Sequence, residues 1–218
     1  MKTIVITGAS RGIGRALAER FLAEGEMVIG TSQSGTADYE HPNLTIIQLE
    51  LASKESRENC AARIGELTES IDILINNAGI WQPADDKAII DVTVLQETLE
   101  VNMLGPIDFT ERVLPMVKKG GQIINLSSRR GSMSYTHEDI YPCYCISKAG
   151  INMFTRLLAA RLKNNITVSA VHPGVVKTAM RDWEGELTPE EAADDIYKLA
   201  LRHKETGQFW YRGEIFPW

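Results

Sequence analysis

Short apolar runs alternate along this chain with longer stretches in which apolar residues recur every three or four positions. Lys2–Thr7 is rich in β-branched residues and reads as a buried strand. A glycine-rich turn follows, and Arg15–Glu24 then carries Ala16, Leu17, Phe21 and Leu22 at helical spacing, with Gly25 to close the helix. Met27–Thr31 and Leu44–Leu49 are further strand-like runs, and Ser53 caps a predicted helix to Leu67. Ile71–Asn76 is a fourth strand, followed by two helical stretches at Thr93–Asn102 and Pro106–Lys118. Gln122–Leu126 is a fifth strand, Tyr144–Leu162 the longest helix and Thr167–Val171 a sixth strand. The last helix spans Pro189–Arg202, with Thr188 as its cap and Pro189 at its first position, and a seventh strand occupies Gln208–Tyr211.

Strands that alternate with helices throughout predict an α/β fold, a doubly wound parallel sheet of about seven strands with helices on both faces. No linker, repeat or low-complexity stretch divides residues 1–218, so one domain of the Rossmann type is expected to carry both cofactor and substrate sites. Composition changes little: 44% of the 218 residues are apolar and 24% charged, close to globular averages. A formal net charge of −6 argues against nucleic acid or an anionic membrane as partner. No apolar run reaches spanning length, and Met1–Thr7 enters a strand without the features of a signal peptide. Cys60, Cys143 and Cys145 lack CxxC spacing, so reduced thiols in the cytoplasm are expected, with neither disulfides nor a metal site.

The first βα turn is where chemistry enters. Thr7-Gly8-Ala9-Ser10-Arg11-Gly12-Ile13-Gly14 places three glycines between a strand and a helix. Glycines there admit close approach of a pyrophosphate, and the helix N-terminus offers free N–H groups. The spacing departs from the GxGxxG fingerprint, so the position in the fold carries the nucleotide reading. The second strand ends Gly30-Thr31-Ser32-Gln33-Ser34, with no carboxylate until Asp38. A carboxylate at position 32 would repel a 2′-phosphate where Ser32 does not, and Arg11 can reach toward one. NADP(H) is favoured, and NAD(H) stays open.

In the second half, Ser127-Ser128 ends a strand, and Tyr144 precedes Lys148 on one face of a helix. An ammonium beside a phenol favours the phenolate and lowers a pKa that starts near ~10. With a hydroxyl from Ser128, these are parts of a proton-delivery site for a carbonyl group. Tyr135 and Tyr141 are nearby alternatives, but neither has a lysine four residues on. Asn102, taken alone, reads better as a polar residue at a helix end.

With those motifs in place, the chain resembles the short-chain dehydrogenase/reductase family in its short, single-domain form. Thr7–Gly14 matches the family's cofactor turn, Asn76-Asn77-Ala78-Gly79 its NNAG element, and Pro173-Gly174 with Thr178 its nicotinamide element. Asn102, Ser128, Tyr144 and Lys148 fall where the family keeps its catalytic tetrad. The resemblance implies Tyr144 as proton donor, Lys148 as ribose ligand, Ser128 as orienter of the substrate oxygen, and Asn102 as holder of a water leading to Lys148. It also implies cofactor contacts from Ser10, Gly12, Ile13, Ser32, Glu50, Leu51, Asn77, Ala78, Gly79, Pro173, Gly174 and Val176. Glu50 stands where the family usually has Asp, and the loop Arg129–Pro142 is a few residues longer than is common. The tail resembles the subgroup of small carbonyl reductases that includes the bacterial C-factor and the insect sniffer reductase.

The function so implied is NADP(H)-dependent reduction of a ketone or aldehyde to an alcohol, with a small carbonyl or alcohol substrate and a homodimer or homotetramer as the assembly. The C-factor likeness motivates an alternative, an NADP(H)-binding sensor or signalling protein that needs no turnover. The segment between Thr178 and Thr188 is short for a substrate lid, which implies an open pocket. The apolar side chains of Trp81, Met133, Met180 and Trp183 suit either an apolar or aromatic carbonyl compound or packing of the lid against the domain. Arg129 and Arg130 suit an acidic substrate, but such a pair is more often solvated or bound to a neighbouring Glu or Asp.

Overall fold

The computed structural model describes residues 1–85, 89–135, 141–163, 165–181, 184–202 and 205–218, with the side chain of Arg181 left aside. Seven parallel strands and one short antiparallel strand form a single sheet in the order β3-β2-β1-β4-β5-β6-β7-β8. The strands are β1 (Thr3–Ile6), β2 (Met27–Ser32), β3 (Leu44–Gln48), β4 (Ile71–Asn76), β5 (Val117–Leu126), β6 (Thr167–Val171), β7 (Gln208–Tyr211) and β8 (Glu214–Ile215). The helices are α1 (Gly12–Ala23), α2 (Lys54–Leu67), α3 (Val92–Leu99), α4 (Gly105–Val113), α5 (Pro142–Arg161) and α6 (Pro189–Leu201). Strand order reverses between β1 and β4, and the crevice beyond their carboxyl ends is where doubly wound sheets bind ligands.

Both faces of the sheet are covered. Ile4, Ile6, Ile75 and Ile124 pack with Leu17 and Phe21 of α1 and Ile196 of α6 on one side. Val5, Leu74 and Ile123 pack with Ile64 of α2, Phe109 of α4 and Leu158 of α5 on the other. Burial on both faces makes the strands continuous apolar runs. The predicted caps are present: the Ser53 hydroxyl accepts from Ser56 N at 3.2 Å, and Thr188 forms a capping box with Glu191. Gly25 adopts φ +77 just beyond α1.

Besides shifts of a few residues at element ends, such as β5 starting at Val117 and not Gln122, the structure departs from the sequence expectation in three places. The helix predicted over Pro106–Lys118 ends at Val113, because Pro115 cannot donate to the preceding turn; Val117 already pairs with Ile71 in the sheet. The gap predicted between Asn102 and Pro106 is instead continuous helix, through a π-helical turn at Glu100–Leu104. There Gly105 N donates to Glu100 O, and Pro106 has no N–H to offer the carbonyl of Asn102. Finally, β8 adds an eighth strand after the tight turn at Arg212-Gly213; two residues are too short for a periodicity to register.

Buried polar side chains fix α4 and α5 against the sheet. Asn76 Nδ2 donates to Thr110 Oγ1 and to Asn125 Oδ1, each at 2.8 Å. Asn125 Nδ2 passes the chain on to Thr155 Oγ1 at 2.9 Å, and that hydroxyl donates to Ile151 O. Bonds of this kind satisfy polar groups in a dry interior and set the register of helix on strand.

Candidate active site

The glycine turn after β1 is held by the end of β4. Thr7 Oγ1 accepts from Asn77 N and Ala78 N, both at 3.0 Å, while Asn77 Nδ2 donates to Thr7 O at 2.8 Å and Gly8 O at 3.1 Å. Gly8 and Gly12 take φ +69 and +57, a region that disfavours side chains. Gly14 is required by space: a Cβ there would stand 2.1 Å from Gly8 O. The turn delivers the chain to α1 with Arg11 at the N-cap and no side-chain cap bond. An uncapped helix N-terminus over a glycine cradle fits a dinucleotide pyrophosphate.

Beside this turn, Ser32 Oγ donates to Thr36 O at 2.8 Å, and Ser34 Oγ lies 2.9 Å from Thr36 Oγ1. Two carboxylates in this region are engaged: Asp38 with Arg15 at 2.8 Å and Glu50 with Gln33 at 2.6 Å. Among the described residues Arg11 has no carboxylate partner, and it is exposed. Leu51 is buried, and its carbonyl accepts from Arg57, whose Nε pairs with Asp108 at 2.6 Å.

Tyr144 and Lys148 lie one turn apart on α5, with Lys148 Nζ 5.6 Å from the phenol ring centroid. Lys148 is buried and donates to Leu126 O at 2.9 Å; burial pushes its ammonium down to about 8. Ser128 ends β5's extension, and its hydroxyl accepts from Arg130 N at 3.2 Å. The following turn packs tightly on α5, since a Cβ on Gly131 would lie 2.6 Å from the Lys148 backbone, and Asn152 Nδ2 donates to Gly131 O at 2.9 Å. Asn102 is buried behind this group. Its side chain both accepts from Ile80 N and donates to Ile80 O, at 2.8 Å each, and reaches Ser147 Oγ at 3.3 Å. Gly79 lies between Asn102 and Lys148: a Cβ there would meet Asn102 Oδ1 at 3.1 Å and Lys148 Nζ at 3.7 Å.

One cleft of about 560 Å³ joins the two groups. Every residue assigned from the sequence to the tetrad or to a cofactor contact lines it except Thr7 and Asn102, which brace its walls from behind. The end of the cleft around Tyr144 is aromatic. Trp81 stacks on Tyr144 with centroids 5.6 Å apart and meets Tyr141 edge-on at 4.5 Å. Arg130, buried, lies 4.5 Å from the Tyr141 ring centroid and 5.7 Å from that of Trp81. Met180 lines the cleft, while Met133 is 87% exposed and does not; Trp183 and residues 136–140 of the long loop lie outside the described residues. Val176 is bridged to Leu187, and Lys177 N donates to Leu187 O at 2.9 Å.

Sequence reasoning missed His172, Asp85 and the tail. His172 lines the cleft, accepts from Gly174 N at 3.3 Å, and stacks on Tyr211 at 4.7 Å. Burial, with Arg129 nearby, pushes its imidazole down to about 3, so it is neutral at ordinary pH. Phe216 packs against His172 and Tyr135, and Ser134 N donates to Trp218 O at 3.1 Å, so the tail braces the loop after Ser128. Only adjacency to Pro173-Gly174 marked His172 beforehand, and the tail carried a likeness to small carbonyl reductases but no local signal that it packs on this loop. Among the described residues, no three His, Cys, Asp or Glu side chains are placed to hold a metal ion, and no helix is long and apolar enough to cross a membrane.

Known proteins bear directly on this geometry. The family model for short chain dehydrogenases matches residues 2–187. A 1-hydroxy-2-glutathionyl-2-methyl-3-butene dehydrogenase from Rhodococcus sp. (strain AD45) is 31% identical over 228 aligned positions, covering 100% of both chains. Among solved structures, a short-chain dehydrogenase/reductase from Burkholderia multivorans with bound NADP superposes with a TM-score of 0.91 at 28% identity, over 100% of this chain and 99% of that one. The carbonyl reductase Sniffer of D. melanogaster gives a TM-score of 0.90 at 25% identity, over 100% of both. The family model spans most of the chain and the whole fold recurs in these structures, so the chain belongs to the short-chain dehydrogenase/reductase family, enzymes that act on alcohol and carbonyl groups with NAD(P).

Proposed function

We propose that this protein is an NADP(H)-dependent reductase of a ketone or aldehyde, with cofactor and substrate sharing the single domain of residues 1–218. The observation that carries the reading is the convergence of Tyr144, Lys148 and Ser128 on the cleft that also holds the glycine turn. The cofactor, when bound, supplies hydride to the carbonyl carbon. Tyr144 delivers the proton to the carbonyl oxygen, Ser128 orients that oxygen by hydrogen bonding, and the Lys148 ammonium favours negative charge on the phenol oxygen. Asn102 braces the Gly79–Ile80 backbone beside Lys148 and keeps that corner of the site rigid.

Preference for NADP(H) is supported by hydroxyls at Ser32, Ser34 and Thr36, and by Arg11, exposed beside them without a carboxylate partner among the described residues. The NADP held by the Burkholderia multivorans structure is consistent with that choice. The apolar side chains Ile146, Met153 and Leu157, exposed along α5, support a homodimer or homotetramer, and the reduced thiols a cytoplasmic setting. The test is a panel of carbonyl compounds followed by NADPH and NADH absorbance, on the parent and on Tyr144→Phe. Turnover is expected to fall by roughly 100-fold or more in Tyr144→Phe while NADPH binding is unchanged. Full activity in that variant overturns the reading.

A further inference from the structure

Helix α5 starts without a cap of its own. Tyr141 stands at the N-cap position, and its side chain makes no capping hydrogen bond. Pro142 has no N–H, so the first donors that need partners are Cys143 N and Tyr144 N. Both are satisfied by one remote carboxylate: Asp85 Oδ1 accepts from Cys143 N at 2.9 Å, and Asp85 Oδ2 accepts from Tyr144 N at 2.8 Å. Asp85 is only 3% exposed and closes the short 3₁₀ turn Pro83–Asp85. A carboxylate buried to that extent is costly unless its oxygens accept hydrogen bonds, and the positive end of a helix is a setting that stabilises it.

The same segment grips Tyr144 a second time. Trp81, four residues before Asp85, stacks on the phenol ring. The residues from Trp81 to Asp85 therefore hold Tyr144 by its backbone amide and by its ring, while α5 presents Lys148 one turn later. The carboxylate ties the first turn of α5 to the wall that follows Gly79, and so sets where the phenol stands relative to Ser128. A serine or aspartate placed locally at position 141 would cap α5 without linking it to that wall.

From this geometry we infer that Asp85 is a positioning residue for Tyr144, acting through the first turn of α5 and touching neither substrate nor cofactor. The inference rests on the reading of Tyr144 as the proton donor. Its expected signature is a fall in kcat with little change in cofactor binding or KM, since a displacement of about 1 Å at a reacting group costs up to roughly 100-fold in rate. Asp85→Asn keeps one acceptor oxygen and turns an N–H₂ toward a backbone N–H, so it is expected to lower kcat by about 10-fold; Asp85→Ala removes both acceptors and is expected to lower it further, toward about 100-fold.

The experiment titrates NADPH into each variant to count binding sites, then measures kcat per site and KM, with Tyr144→Phe alongside. Reduced kcat per site at unchanged NADPH affinity, in the order parent, Asp85→Asn, Asp85→Ala, supports the inference. Turnover lost only in proportion to lost NADPH sites overturns it, because that is what general loss of structure produces. Parent-like kcat in Asp85→Asn and Asp85→Ala, beside an inactive Tyr144→Phe, overturns the role of Asp85 alone. An active Tyr144→Phe instead removes the reading on which it rests.

Discussion

The two ends of the cleft are built by different means. At the nucleotide end, shape comes from backbone: positive φ at Gly8 and Gly12, a Gly14 with no room for a side chain, and carbonyls tied by Asn77. Nearly all of it belongs to two adjacent strand ends, β1 and β4. At the substrate end, shape comes from side chains drawn from far apart in the chain: Trp81 and Asp85 from one segment, Arg130 from another, His172 from β6's end, and Phe216 and Trp218 from the tail. A cofactor common to a whole family suits a rigid backbone cradle. A substrate that differs between members suits side chains, which can be exchanged without disturbing the sheet.

The sharpest way to break this contrast is Gly14→Ala. Its Cβ would have to stand 2.1 Å from Gly8 O and 2.4 Å from Asn77 Nδ2, so backbone must move. A loss of roughly 3 kcal/mol in urea unfolding is expected, at the upper end for overpacking, with NADPH affinity weakened by about tenfold or more. If Gly14→Ala binds NADPH normally, the cradle is not the rigid element described above.

Lys148 sits where the two ends meet, and pH sharpens the comparison there. Burial brings its ammonium down from 10.5 to about 8, so it is charged below that pH and neutral above. Cofactor affinity and turnover are both expected to fall as pH rises through about 8, with roughly a tenth of the charged form left one unit higher. The sign for stability is opposite. Between about 8 and 10.5 the unfolded chain holds the proton that the folded chain has lost, so the fold gains stability as pH rises. Denaturant midpoints recorded beside the activity profile check that the activity loss is not unfolding; a bound cofactor that holds the proton would move the activity limb upward.

The smallest effect is expected from Phe216→Ala. Phe216 is half-buried among Phe209, His172, Tyr211 and Tyr135. Its loss is expected to cost about 1–2 kcal/mol in stability and to raise substrate KM a few-fold while NADPH affinity stays as in the parent. An equal loss of cofactor affinity would mean that the tail supports both ends and that the contrast is too sharply drawn.

The sequence by itself determined most of the nucleotide end. A glycine that needs positive φ, a strand that is apolar throughout and a capping threonine are each dictated by interactions within a few residues, and so Gly8, Gly12, the seven parallel strands and Thr188 were legible one segment at a time. Tyr144 and Lys148 were legible for the same reason, being neighbours on one helical turn. What Asp85 does was not, because it lies one strand and two helices away in sequence from the amides it accepts from, and a carboxylate in a loop carries no local mark of burial. The same holds for Asn125 bridging Asn76 and Thr155, and for the tail that packs under the loop after Ser128. Only the tertiary structure decided these, since each depends on which surfaces the crossovers of the sheet bring together. Backbone geometry is written locally; the walls of the substrate end are contacts between distant segments.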